Sequence, residues 1–329
     1  MSRTSALLLA AGALLFVALV LAHGVSSIYA TLALAGWGLL LVALFHGLPL
    51  LVDAVAISVL FPPGASHGSW RDALLARWLG ESASSLMAFG QIAGPVVMAR
   101  QLWRRGVPTQ SAIAAITVST TLQAFAQVVF ALMGIVLLGS QTRLRVPDGL
   151  RPMLISASAV LALIVLAFYL VQRRAMFEPA LRTLSRLWSK HDWSALLTRA
   201  KAIDDAVRNT YQQGRGVPTC FLLNLLGWIL GTGEVYLILW LVRAPVSWSV
   251  ALLLESLGQA IRGAAFAVPG ALGIQEAGYL LLAPIAGLAP DTALALSLAK
   301  RAREVLLGVP GLIMLTLHLS ERPRPPAAG

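Results

Sequence analysis

The chain has 329 residues, of which 58% are hydrophobic and 12% charged, whereas a soluble domain is nearer half apolar and a quarter charged. Its apolar residues come in runs of about twenty, the length that crosses ~30 Å of hydrocarbon, which excludes a soluble enzyme, a disordered chain and a disulfide scaffold. The net charge of +11 gathers in the gaps between these runs, so it points to basic loops against anionic inner-leaflet headgroups and not to nucleic acid.

An all-α polytopic membrane protein is therefore expected. Six full crossings are read at 6–22, 34–60, 111–138, 152–172, 218–241 and 291–318. The first follows Arg3 and is long for a signal peptide, with a poor cleavage site at Ala22-His23-Gly24, so it is read as a retained span. Residues 1–320 are expected to form a single membrane domain, with a disordered Pro-rich tail at 321–329. The gap from Arg173 to Arg215 holds nine basic and four acidic residues, which places it in the cytoplasm and, by counting crossings, puts both termini there too. Arg143, Arg145 and Arg151 then fall outside, against the rule. Within 173–215, Phe177, Leu181, Leu184 and Trp188 recur at helical spacing, as do Leu196, Ala200, Ile203 and Val207. Amphipathic helices on the inner leaflet are expected, with a solvated helical hairpin as the alternative. Cys220, the single cysteine, permits neither a disulfide nor a cysteine metal cluster.

Two further stretches, 77–102 and 247–286, are apolar but interrupted by Gly, Pro and charges. Each carries a glutamate followed about fourteen residues later by a Gly/Pro break: Glu81 before Gly94-Pro95, and Glu255 before Pro269-Gly270. They read as two broken or re-entrant segments entering from opposite faces, a pattern open to an inverted repeat. Re-entrant backbone is tolerated only where protein or a polar cavity surrounds it. At Pro269-Gly270-Ala271-Leu272-Gly273 the proline removes a helical donor and the glycines allow positive φ, so a half-helix starting near Gly273 would aim its positive end into such a cavity. A kink that packs helices closely through small residues is the alternative.

Charges at membrane depth sharpen the reading. Glu234 sits deep in the fifth crossing, Glu255, Arg262 and Glu276 in the second broken segment, and Lys300, Arg301, Arg303 and Glu304 interrupt the last crossing. A central ionisable group costs ~2.5–3.5 kcal/mol on insertion scales, so these must pair or line a wet cavity. A buried structural ion-pair network competes with a headgroup path. Asp53 is read as a weaker case, near an inner end. The five histidines are scattered without metal spacing, and no Walker loop is present, so neither a metal nor another cofactor is expected.

The Arg77-Trp78-Leu79-Gly80-Glu81 element, Gly90-Gln91-x-x-Gly94 with Arg100, Glu255…Arg262…Pro269-Gly270-Ala271-Leu272-Gly273-Ile274-Gln275-Glu276, and Lys300-Arg301-Ala302-Arg303-Glu304 before Gly308-Val309-Pro310-Gly311 form a series. It resembles the flippase-like membrane domain of the lysylphosphatidylglycerol synthase family, and within it the stand-alone, hopanoid-biosynthesis-associated members, over about 5–318. The resemblance implies a bacterial inner-membrane protein that moves lipids or lipid-linked molecules between leaflets and takes part in hopanoid handling. The family's Gly-Gly-Glu-x-x-Arg pattern falls at Ala93 to Arg100 without its acidic member, and its Pro-Gly-Gly becomes Pro269-Gly270-Ala271. No soluble aminoacyl-transferase domain follows the last crossing in this sequence, so lysyl-lipid synthesis is not expected.

The leading expectation is a lipid translocator, not an enzyme, whose partners are hopanoid or phospholipid, with lipid-biosynthesis enzymes as candidate protein partners. Its path is assigned to Glu81, Gln91, Arg100, Glu234, Glu255, Arg262, Pro269, Gly270, Gly273, Glu276, Lys300, Arg301, Arg303 and Glu304. The alternatives are a non-transporting scaffold of a lipid-synthesis complex and an intramembrane headgroup enzyme using Glu255 and Glu276 as acid and base.

Overall fold

The structure is a computed structural model that describes residues 30, 33–62, 69–87, 90–140, 150–174, 176–187, 193–265, 268 and 271–320. The expected first crossing at 6–22, the tail at 321–329, and Pro269 and Gly270 lie outside the described residues. Among those described, every regular element is a helix.

The second expected crossing is α1 (Gly38–Phe45) and α2 (Gly47–Ser58). Their hydrogen-bond ladder continues through His46, whose N–H reaches the Val42 carbonyl and whose carbonyl accepts from Leu50, so the two act as one apolar span of 21 residues. Two more helices are long and apolar enough to cross a membrane, α5 (Thr109–Ser140) and α9 (Gly216–Leu241). The expected fourth and sixth crossings are α6 (Leu150–Arg173) and α12 (Pro290–Ser320). At 31 residues, α12 is about 46 Å long, ample for a bilayer, but four charges interrupt its apolar face.

The first broken segment is a helical hairpin of α3 (Trp70–Leu86) and α4 (Gly90–Arg104). The break is not at Gly94-Pro95 as expected: both residues lie inside α4, where Pro95 forgoes one backbone donor early in the helix without ending it. Ser69 starts α3 with a capping box: its hydroxyl accepts from the Asp72 N–H while the Asp72 carboxylate accepts from the Ser69 N–H, which satisfies two otherwise orphaned donors. The arms are antiparallel, with Gly80 against Gly94 and Met98, Ser84 against Gly94, and Asp72 paired with Arg105 at the open end. The second broken segment repeats this form in α10 (Trp248–Ala264) and α11 (Ile274–Ala286). Here Gly258 lies against Tyr279, Gly278 against Ile261, and Arg262 donates to Gln275.

Helix α12 relates the two hairpins. Its early residues Ser297 and Arg301 meet Gln275, Glu276 and Ala271 near the tip of the second hairpin. Its later residues Gly308 and Gly311 meet Leu86 and Ser82 of the first, and Trp78 donates to the Leu307 carbonyl. The contact order is antiparallel along both, so the hairpins point in from opposite ends of α12. The order crossing, hairpin, crossing thus occurs twice, as α1/α2, α3/α4, α5 and again as α9, α10/α11, α12.

Each hairpin has its own apolar core. Ala54, Ile57, Ala76, Leu102 and Ile116 pack around the first; Ile238, Leu253, Leu257, Leu282 and Leu296 pack around the second. Between the repeats, the basic insertion forms α7 (Phe177–Leu187) and α8 (Ser194–Tyr211). The buried Asp204 carboxylate accepts from the backbone N–H groups of Met176, Phe177 and Glu178 at 2.8–3.0 Å, a strong cap for α7. Helix α8 turns Ala200 and Val207 inward and packs on α5, so that part of its apolar face is covered by protein. Leu184 and Leu196 remain exposed.

Candidate functional site

A cavity of about 400 Å³ lies between the two hairpins. Polar and charged side chains enter it from six directions: His46 and Asp53 from the first span, Arg77, Glu81, Ser84 and Ser85 from α3, and Thr120, Gln123 and Gln127 from α5. Glu234 comes from α9, Glu255, Gln259 and Arg262 from α10, and Arg303 and Glu304 from α12. Small residues make this convergence sterically possible. Gly233 lies under Phe45 and Gly227 under the Asp53 carboxylate, so α9 approaches the first span closely enough for its polar residues to meet.

The ionic groups form two linked chains joined on α12. In the first, Arg77 donates to Asp53 at 2.8 Å and approaches Glu81 at 3.6 Å; Gln123 also donates to Asp53. His46 bridges Glu81 and Glu234, and Arg303 reaches both of those carboxylates at 3.4 and 3.2 Å. Lys300 pairs with Glu255 at 2.6 Å and lies 3.9 Å from Glu234. In the second, Arg262 donates to Glu304 at 2.7 Å, and Arg301 joins Glu304 to Glu276, each at 3.2 Å. Ser297 donates to Glu276 and accepts from Gln275. The Lys300-Arg301-x-Arg303-Glu304 element is the hub: successive residues on one helix point into different pairs, so a single turn ties both hairpins to α9.

Removing these ions from water is costly, and the cost is offset only where partners and hydrogen bonds are close. Lys300 shows the principle, with 1% of its side chain exposed and its ammonium against Glu255. The least buried members face the cavity: Glu81 and Arg262, each 22% exposed.

Of the residues assigned to the path from sequence, Glu81, Glu234, Glu255, Arg262, Arg303 and Glu304 line the cavity. Lys300 and Arg301 stand behind its wall as partners of the lining Glu255 and Glu304, and Glu276 lies one step further back, paired with Arg301 and Ser297. Gly273 takes φ +76° as the residue before α11, a left-handed conformation natural to glycine, and the Glu276 carboxylate follows in the first turn. Arg100 does not line the cavity; it is an exposed residue near the α4 C-terminus, the end of the helix dipole that favours a cation. Gln91 lies in the first turn of α4, and Pro269 and Gly270 fall outside the described residues. Asp53, read as a weak case, is a buried partner of Arg77 and Gln123. His46, Gln123, Gln127 and Gln259 are absent from the path assigned from sequence, and Arg77 enters the sequence reading only as part of the Arg77-to-Glu81 element. A signal for them exists in helical spacing: His46 and Asp53 are seven residues apart, Arg77 and Glu81 four, Gln123 and Gln127 four, and Glu255, Gln259 and Arg262 four and three.

Residues 5–311 match the family described as the lysylphosphatidylglycerol synthase TM region. The chain belongs to this family. No curated protein and no solved structure gives a significant match. Membership, together with apolar helices long enough to span a bilayer, makes this a multi-pass membrane protein. The hub, both hairpins and the cavity lie within the matched region.

Proposed function

We propose that this protein moves a lipid or lipid-linked molecule between leaflets by passing its polar headgroup through the cavity while the apolar chains stay in the bilayer. The observation that carries this reading is a polar cavity built at the meeting point of two opposed hairpins, in a bundle that turns many large apolar side chains outward. Leu163, Leu222, Ile313 and Leu317 are among the large side chains turned outward, as a lipid-facing surface requires. Glutamines, serines and a threonine share the lining with the ion pairs, offering hydrogen bonds to hydroxyl, amide or phosphate groups alike.

The hopanoid link and the bacterial inner-membrane location rest on the sequence resemblance alone, and the cytoplasmic termini on the basic gap from Arg173 to Arg215 and the count of crossings. An acid/base role for Glu255 fits the geometry poorly, because Lys300, Gln259 and Tyr279 already occupy its oxygens. The test is a leaflet-exposure assay on the purified full chain in liposomes, with fluorescent phospholipid and polar hopanoid reporters. Exchange faster than in protein-free liposomes for one reporter class identifies the cargo. Protein-free rates for every reporter would sink autonomous translocation, leaving the scaffold reading.

A further inference from the structure

His46 stands between two carboxylates. Its Nδ1 lies 2.8 Å from Glu234 Oε2 and its Nε2 lies 2.9 Å from Glu81 Oε1. A neutral imidazole has one N–H and one lone pair. With both carboxylates ionised, one of these two close contacts would set lone pair against lone pair. Both are hydrogen bonds only if the three groups together hold one proton more than a neutral ring and two carboxylates.

The surrounding charges ask for the same proton. From α12, Arg303 Nη1 is 3.4 Å from both His46 Nε2 and Glu81 Oε1, its Nε is 3.2 Å from Glu234, and Lys300 is 3.9 Å from Glu234. From α3, Arg77 is 3.6 Å from Glu81 and shared with Asp53 of the first span. From α10, Glu255 holds the far side of Lys300. In the whole described cluster, Asp53, Glu81, Glu234, Glu255, Glu276 and Glu304 face Arg77, Arg262, Lys300, Arg301 and Arg303. One proton on the bridge makes the set neutral, the state favoured where water is scarce.

We infer that His46 holds an exchangeable proton between Glu81 and Glu234, and that lipid movement is coupled to its gain and loss, so that H+ is a second cargo. The coupling half rests on the translocation reading above; the proton half does not. The bridge ties the first span to α3 of the first hairpin and to α9 of the second repeat. When the proton leaves to cavity water, one contact becomes repulsive and that tie opens; when a proton returns from water, it closes. No bond in the lipid changes. Glu81, the most exposed of the three carboxyl and imidazole side chains, gives the proton its route to the cavity. An element with two arrangements whose balance a proton biases is what coupling requires.

Two measurements test the two halves. The first is nitrogen-15 NMR of labelled histidine in the full chain in nanodiscs at pH 7.5, with His23, His67, His191 and His318 replaced by Gln so that His46 alone reports. If that variant does not fold, the wild-type spectrum is compared with His46→Gln. Two nitrogens hydrogen-bonded to protons, with loss of one on alkaline titration, is the expected result. A neutral ring whose second nitrogen is unprotonated and free of any hydrogen bond across the titration overturns the proton site whatever the lipid does. The second is lipid exchange in liposomes with a pH difference imposed and the membrane potential clamped at zero. One proton per lipid predicts a leaflet bias approaching about tenfold per pH unit, lost in His46→Gln. Rapid exchange with no bias overturns the coupling and leaves translocation standing; no exchange at all removes translocation, and the coupling with it.

Discussion

Lys300 is the residue on which the buried electrostatics depend most. Its ammonium is nearly inaccessible, paired with Glu255 and close to Glu234. Lys300→Met therefore leaves an unpaired carboxylate inside the bundle, a loss of about 3–5 kcal/mol by analogy with other broken buried pairs. The double variant Lys300→Met/Glu255→Gln should recover most of it, since a neutral amide can still bond Gln259 and Tyr279. Thermal melting in detergent reads both; equal melting temperatures for the single and double variants would show that the pair is not the source of the loss. At this scale the sequence was informative about cost but not about partners. Charges in apolar runs are visible one by one, and Glu81, Glu234, Arg303 and Glu304 stand out for that reason. His46 does not, because the carboxylates that give it a role lie 35 and 188 residues away. Its seven-residue spacing to Asp53 places the two on one helix face but points to neither carboxylate partner.

At the scale of elements the second hairpin is legible because the sequence between its arms, Pro269 to Gly273, has a conformational reason to break. The first is legible only as an interrupted run: α3 ends at Leu86 and α4 begins at Gly90, so Gly94 and Pro95 serve inside a helix. Gly94 is needed there for close approach, since a Cβ on it would collide with the Ser84 hydroxyl and the Gly80 carbonyl. The hairpins' opposed entry is a tertiary fact, expected from counting crossings and seen in how α12 meets each tip. The Pro269-to-Gly273 break holds a local strain as well. Ala271 adopts φ +47°, the left-handed region that disfavours a Cβ by roughly 1–2 kcal/mol, while its carbonyl accepts from Arg301. Ala271→Gly should therefore raise the melting temperature, by relief of about 1 kcal/mol less the extra flexibility of the unfolded chain. A lower melting temperature would mean that the methyl group's packing in the break outweighs its strain.

Among the described residues, two similar units of crossing, hairpin and crossing, each with its own apolar core, close on a shared polar space. If the hairpins enter from opposite faces of the bilayer, their open ends must be on opposite sides. In a Cys220→Ala background, Ser69→Cys and Ser247→Cys should react with an impermeant maleimide from opposite sides of sealed vesicles; labelling of both from one side would contradict the arrangement. The central claim, that the cavity is the headgroup's route, is tested most directly by filling it. Gly231 lines the cavity, and a Cβ there would meet only Glu255 Oε1, at an ordinary 3.6 Å, so Gly231→Phe directs a ring into the space. Leu222→Phe, on the outward face of the same helix where the side chain is 61% exposed, is the control. Leaflet exchange in liposomes should fall to the protein-free rate for Gly231→Phe and stay at the wild-type rate for Leu222→Phe. Wild-type exchange in a folded Gly231→Phe protein would contradict the account.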